Sequence, residues 1–151
     1  MAEKIQKRCD IDARWKWDLT HIFPSDQAWE DARAAVLETV NAFAARQGRV
    51  TEDPKGAIRA YFALYEKFAE VFDYAFLRQE TDNGDTVAQG LKSKAMSLAV
   101  QMESQSAFLQ PELLTLPAEQ LEALQSDPDM ADYSEFVRNL IREKPHILSP
   151  E

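Results

Sequence analysis

The amino-acid sequence predicts an all-α protein, an antiparallel helical bundle or array of three long and two or more short helices. Three observations carry this. Apolar residues recur at three- and four-residue steps over long segments. Proline and glycine cluster at the ends of those segments. No stretch of useful length alternates apolar with polar residues, and no Asn-Gly pair joins two β-branched runs.

The elements follow in order. Residues 1–10 are polar. Residues 11–23, IDARWKWDLTHIF, are aromatic but short, and Asp18 can cap a single turn over residues 19–22. Ser25 is the expected N-cap of a first long helix, with Asp26 favourable against its dipole. Trp29, Ala32, Val36, Val40 and Phe43 form its stripe, and Gly48 stops it. Asp53-Pro54 opens a second helix running to about Thr81. Its stripe is Ile58, Tyr61, Phe62, Tyr65, Phe68, Phe72 and Phe76, expected to be core. Asn83-Gly84 forms the next turn. A third helix begins after Asp85, with Val87, Leu91, Ala95, Leu98, Met102 and Leu109 as its stripe and Pro111 as its end. Gly90 inside it costs about 1 kcal/mol against alanine. Pro117 opens a short helix with Leu121 and Leu124, broken at Asp127-Pro128. A last helix spans about 129–144, with Tyr133, Phe136, Val137, Leu140 and Ile141 on one side, and Pro145 ends it.

Composition excludes several functions. The chain has 151 residues, 17 Lys+Arg, 26 Asp+Glu and a net charge of -9, which disfavours a nucleic-acid partner. Its longest unbroken apolar run is residues 60–65, far short of the roughly 20 that a membrane span needs. A single cysteine rules out an intramolecular disulfide. Cys9 reads as a free surface thiol suited to a reducing compartment, hence a cytoplasmic location. The charge is local: residues 95–137 hold eight acids and no Lys or Arg. Those acids either form a solvated helix surface or meet a basic partner.

The residues that could carry chemistry do not assemble a known motif. Helical zinc hydrolysis needs HExxH, two imidazoles on one face and a glutamate beside the bound water. His21 and His146 stand 125 positions apart, in HIFPS and HILSP. Residues 127–132 lack the glycine and the terminal glutamate of a calcium loop. Catalytic, cofactor-binding and metal residues are therefore all expected to be none in this chain. Trp15 and Trp17 alternate with Arg14, Lys16 and Asp18. They either lock the N-terminal arm onto the helices or pack against another domain.

The run Trp17-Asp18-Leu19-Thr20-His21-Ile22-Phe23-Pro24-Ser25-Asp26-Gln27-Ala28-Trp29 resembles the opening of oligoendopeptidase F, a zinc metallopeptidase family related to thimet oligopeptidase. Tyr74-Ala75-Phe76-Leu77-Arg78, the stretch FLQPELL at 108–114, and the stretch 142–146 followed by Leu148-Ser149 agree in kind. The resemblance implies a longer parent enzyme that hydrolyses short peptides. Its zinc and HExxH helix would lie in a later catalytic domain, so zinc is expected there and no cofactor here. This chain would be its N-terminal, non-catalytic helical domain, helping to enclose the substrate channel. The organisation expected is an arm over 1–23, a helical domain over 24–144, and over 145–151 the start of a connection to the catalytic domain. Ser149-Pro150-Glu151 then reads as a helix start. The expected partners are that domain and, in the parent enzyme, short peptides. An isolated chain would expose apolar surface and form a homo-oligomer. The alternative is a stand-alone helical interaction module without activity.

Overall fold

A computed structural model describes residues 10–146. The expectations for Cys9 and for Ser149-Pro150-Glu151 fall outside those residues. Six α-helices follow in order: α1 Asp26–Ala44, α2 Pro54–Thr81, α3 Thr86–Ser106, α4 Leu109–Thr115, α5 Ala118–Ser126 and α6 Ser134–Glu143. Short 3-10 turns fill the gaps, and no strand occurs among the described residues. The three long and three shorter helices make the protein all-α, as the periodicity predicts. Two compact units divide the chain: Met1–Glu38 with Tyr65–Met102, and Thr39–Leu64 with Glu103–Glu151.

In the first unit, Asp18 accepts the Thr20 N–H at 3.0 Å and caps the turn Leu19–His21. The Ser25 hydroxyl then accepts the Ala28 N–H at 3.1 Å and starts α1. Trp29 and Val36 are buried on that helix. The Trp29 indole donates to the Val71 carbonyl at 2.7 Å, and the Tyr74 hydroxyl donates to Asp26 at 3.2 Å. As α1 advances from 26 to 29, its partners on α2 step back from 74 to 71, so the two run antiparallel. The turn between α2 and α3 is tied by Arg78 to Asp85 at 2.9 Å. Lys92 on α3 donates to Gln79 at 2.5 Å and lies 4.3 Å above the Phe76 ring. Ala88, Leu91, Ala95, Leu98 and Met102 form the buried face of α3.

In the second unit, Phe43 stacks on Phe108 at 5.5 Å and tilts against Tyr61 at 6.0 Å. Gly48 takes φ 78, a left-handed conformation that admits glycine without strain. The chain can therefore turn sharply after α1. Glu112 on α4 holds the far side of this turn, accepting the N–H of Gly48 at 2.6 Å and of Val50 at 3.1 Å. Along the first turns of α2, Lys55 pairs with Asp127, Arg59 donates to the Asp129 carbonyl at 2.8 Å, and Phe62 meets Tyr133 and Phe136. Both segments advance together, so they run the same way. Val137 and Leu140 are buried on α6, and Lys144 donates to the Leu114 carbonyl at 2.5 Å.

Four expectations need correction. The third helix does not reach Pro111: α3 ends at Ser106, and Leu109 begins α4. Pro111 sits in the first turn of α4, where a missing N–H breaks no helical bond. The last helix starts at Ser134 rather than 129. Residues Pro128–Tyr133 form a 3-10 stretch instead, with Asp127 capping it through the Asp129 N–H at 2.8 Å. The aromatic stripe of α2 is not the core as a whole. Ala57, Ile58, Leu64, Val71, Tyr74 and Ala75 are the buried set, while Tyr65 is 49% exposed and Phe68, Phe72 and Phe76 are half-buried. Val87 is also exposed, because the inward face of α3 is set by Ala88, Leu91 and Ala95.

Candidate functional site

The first unit carries a cleft of about 420 Å³ between the N-terminal arm and α2. Trp17, Asp18, Phe23, Asp26, Tyr74 and Arg78 contribute to its walls. Capping the 3-10 turn fixes Asp18, and the edge-on contact of Phe23 with Tyr74, 5.3 Å between centroids, fixes the aromatic wall. The polar groups are already engaged. The Thr20 hydroxyl and N–H hold the Asp18 carboxyl below its usual range, and His21 adds a weaker pull. Burial pushes the Tyr74 hydroxyl up, reinforced by Asp26, so it stays a neutral phenol at pH 7. Arg78 lies 2.9 Å from Asp85 and 3.9 Å from Asp26. Such a cleft can seat an apolar or aromatic group, but it presents no group poised for proton transfer.

Trp15 is 73% exposed and Trp17 64%. Asp12 caps the turn Ala13–Trp15 through the Arg14 N–H at 3.0 Å, and the Arg14 guanidinium lies 5.4 Å from the Trp15 ring centroid. The arm has defined local structure, yet both indoles face outward. Single exposed apolar side chains are common on protein surfaces, so exposure by itself assigns these indoles no partner.

The acidic stretch is less uniform than its composition. Glu112 is spent on Gly48 and Val50. Asp127 pairs with Lys55, which draws its carboxyl below the usual range, helped by the Asp129 N–H. Glu135 accepts from Arg138 at 2.5 Å. Glu103, Glu119, Glu122, Asp129 and Asp132 are exposed. The eight acids thus combine internal ties with a solvated surface.

Among the described residues no group of three or more His, Cys, Asp or Glu could hold a metal ion. His21 lies 3.6 Å from Asp18 alone, and His146 lines a shallow cavity with Asn139, Arg142 and Glu143. No polar or charged side chain is buried among the described residues, so the usual structural mark of a catalytic group is not seen there. No helix among them is long and apolar enough to cross a membrane.

The described residues form an all-α domain, and comparison with known proteins places its likeness among peptidases. The N-terminal family of M3 peptidases, described as Oligopeptidase F, matches residues 112–151. Oligopeptidase PepF of Bacillus subtilis is 30% identical over 98% of the chain, and group B oligopeptidase PepB of Streptococcus agalactiae is 25% identical over 94%. The chain spans 23% and 24% of those relatives, about a quarter of their length. A crystal structure of a protein from Chlamydophila abortus, 19% identical, shares the fold with a TM-score of 0.81 over 97% of this chain and 26% of its own. The chain matches the N-terminal domain of oligoendopeptidase F.

Proposed function

We propose that this chain serves as the N-terminal, non-catalytic helical domain of an oligoendopeptidase F-like zinc metallopeptidase, a cytoplasmic enzyme of short peptides whose substrate channel the domain helps to enclose. The observation that carries this reading is the similarity to PepF along 98% of the chain but only 23% of PepF. In this reading hydrolysis, and its zinc, belong to a catalytic domain elsewhere in the parent polypeptide, which agrees with these 151 residues carrying no HExxH. Residues 24–144 would act as the helical body and 145–151 as the lead into that domain. Trp15 and Trp17 suit a surface that the rest of the polypeptide covers. In the isolated chain, exposed Tyr65, Met96 and Val100 favour self-association.

Two assays on one quenched fluorescent peptide test the reading. The 151-residue chain alone should leave the peptide intact and keep no stoichiometric zinc after dialysis. The same chain joined to the catalytic part of a PepF relative should hydrolyse it. Cleavage or retained zinc with the chain alone would overturn the assignment.

A further inference from the structure

We propose that Asn83 is a site of self-catalysed deamidation, driven by the hydrogen bonds that organise the turn between α2 and α3. Asn83 and Gly84 are both exposed there. Glycine carries no side chain to hinder its own nitrogen. In the reaction, Gly84 N bonds to Asn83 Cγ and the Cγ–Nδ2 bond breaks. The amide proton passes through an acceptor to the departing nitrogen, which leaves as ammonia. Water then opens the succinimide ring at one of its two carbonyls, giving aspartate or isoaspartate.

Besides the approach of Gly84 N to Asn83 Cγ, the reaction makes two electrostatic demands. The Gly84 nitrogen must give up its proton, and negative charge must develop on Asn83 Oδ1. The turn meets both. Gly84 N–H donates to Asp82 Oδ1 at 3.0 Å, which sets a carboxylate on the departing proton. Gln79 Nε2 donates to Asn83 Oδ1 at 2.6 Å. The same Gln79 accepts from Lys92 Nζ at 2.5 Å through Oε1, so an ammonium charge polarises the donor amide. A donor held on the oxygen where charge develops acts as an oxyanion hole does. The products differ structurally. Aspartate still accepts from Gln79. Isoaspartate inserts a main-chain carbon between 83 and 84, which displaces the Asp85 N–H from Asp82 O and the Gln89 amide from Asn83 O.

The test incubates the whole chain at mildly alkaline pH and digests it with trypsin, whose cuts after Arg78 and Lys92 release residues 79–92. This peptide should gain one mass unit and split into two chromatographic forms, at least as fast as the same peptide free in solution. Gln79→Glu keeps a partner for Lys92 but removes the donor, and should slow conversion about fivefold, the worth of one neutral hydrogen bond in a barrier. Asp82→Ala should slow it as well. Lys92→Met, a surface change distant from the reacting atoms, repeats the comparison on the tryptic peptide 79–94 should either variant lose helicity by circular dichroism. An Asn83 that stays intact while half of the free peptide converts would overturn the proposal. Folded variants that all react as fast as the parent would overturn it equally.

Discussion

The Trp29 indole N–H donates to the Val71 carbonyl at 2.7 Å, across 42 positions of sequence and with no exposure of the ring. Val71 lies inside α2, so its oxygen serves a helix as well as the indole. The bond thus ties α1 to α2 at a fixed height while the ring fills the space between them. Removing the two contributions separately should separate their sizes. Trp29→Phe keeps most of the volume and should cost about 1–2 kcal/mol, the worth of a buried hydrogen bond plus some lost packing. Trp29→Ala leaves a cavity and should cost about 3–5 kcal/mol. Urea unfolding followed by circular dichroism measures both, and equal losses would show that the bond contributes nothing.

Gly90 offers a change in the stabilising direction. It is exposed in the middle of α3, and a Cβ added there meets no atom within 4 Å. Gly90→Ala should therefore stabilise the chain by about 1 kcal/mol, through helix propensity and a less free unfolded chain. A raised unfolding midpoint with unchanged slope is the expected result. Gly56 behaves differently although it also lies in a helix. A Cβ there would come 1.9 Å from Asp53 Oδ2, the side chain whose other oxygen caps α2 through Gly56 N–H at 3.0 Å.

Much of the fold was legible in the sequence because it is local. The Ser25 and Asp53 caps, the α1 stripe and the Asn83-Gly84 turn each depend on residues within a few positions of one another. The errors have a common physical origin. Pro111 read as a helix end, but proline in a first turn is equally a helix start, and only the break after Ser106 decides between them. The aromatics of α2 satisfy the helical period from Ile58 to Phe76, yet which side of that stripe is covered depends on neighbouring helices. The tie from Glu112 to Gly48 and Val50 spans more than sixty positions, and no spacing rule reveals it. The surfaces were harder still. Exposure of Trp15 and Trp17 is a tertiary property, and the sequence left both orientations open.

That long-range tie predicts a defined loss. Glu112 is the acceptor for two backbone donors at the only left-handed residue among the described ones. Glu112→Ala leaves both N–H groups without it and should cost about 2–3 kcal/mol, since charge-assisted bonds exceed neutral ones. Glu112→Gln keeps an acceptor oxygen and should recover part of this. Hydrogen exchange at Gly48 and Val50 should quicken in Glu112→Ala before global unfolding is reached.

Acid should unfold the chain through its engaged carboxylates. The Ala88 N–H holds Asp85 below its ordinary value; burial opposes this, and the Val87 N–H and Arg78 add to it. Burial pushes Glu30 upward, but bonds from Lys94 and Arg33 outweigh it and leave that carboxyl lowered as well. Asp18 and Asp127 shift the same way. A carboxylate whose folded value lies below its unfolded one adds stability that is complete above the unfolded value, near 4. That stability disappears as pH falls through the folded value, because the unfolded state then binds protons more readily. The urea midpoint should therefore hold from neutrality down to about pH 5 and then drop steeply below about pH 4. Asp85→Asn should start from a lower midpoint at neutral pH and show a shallower acid decline, since the group responsible for part of it no longer titrates. Parallel curves for parent and variant, offset by a constant, would instead assign Asp85 a role that does not depend on its charge.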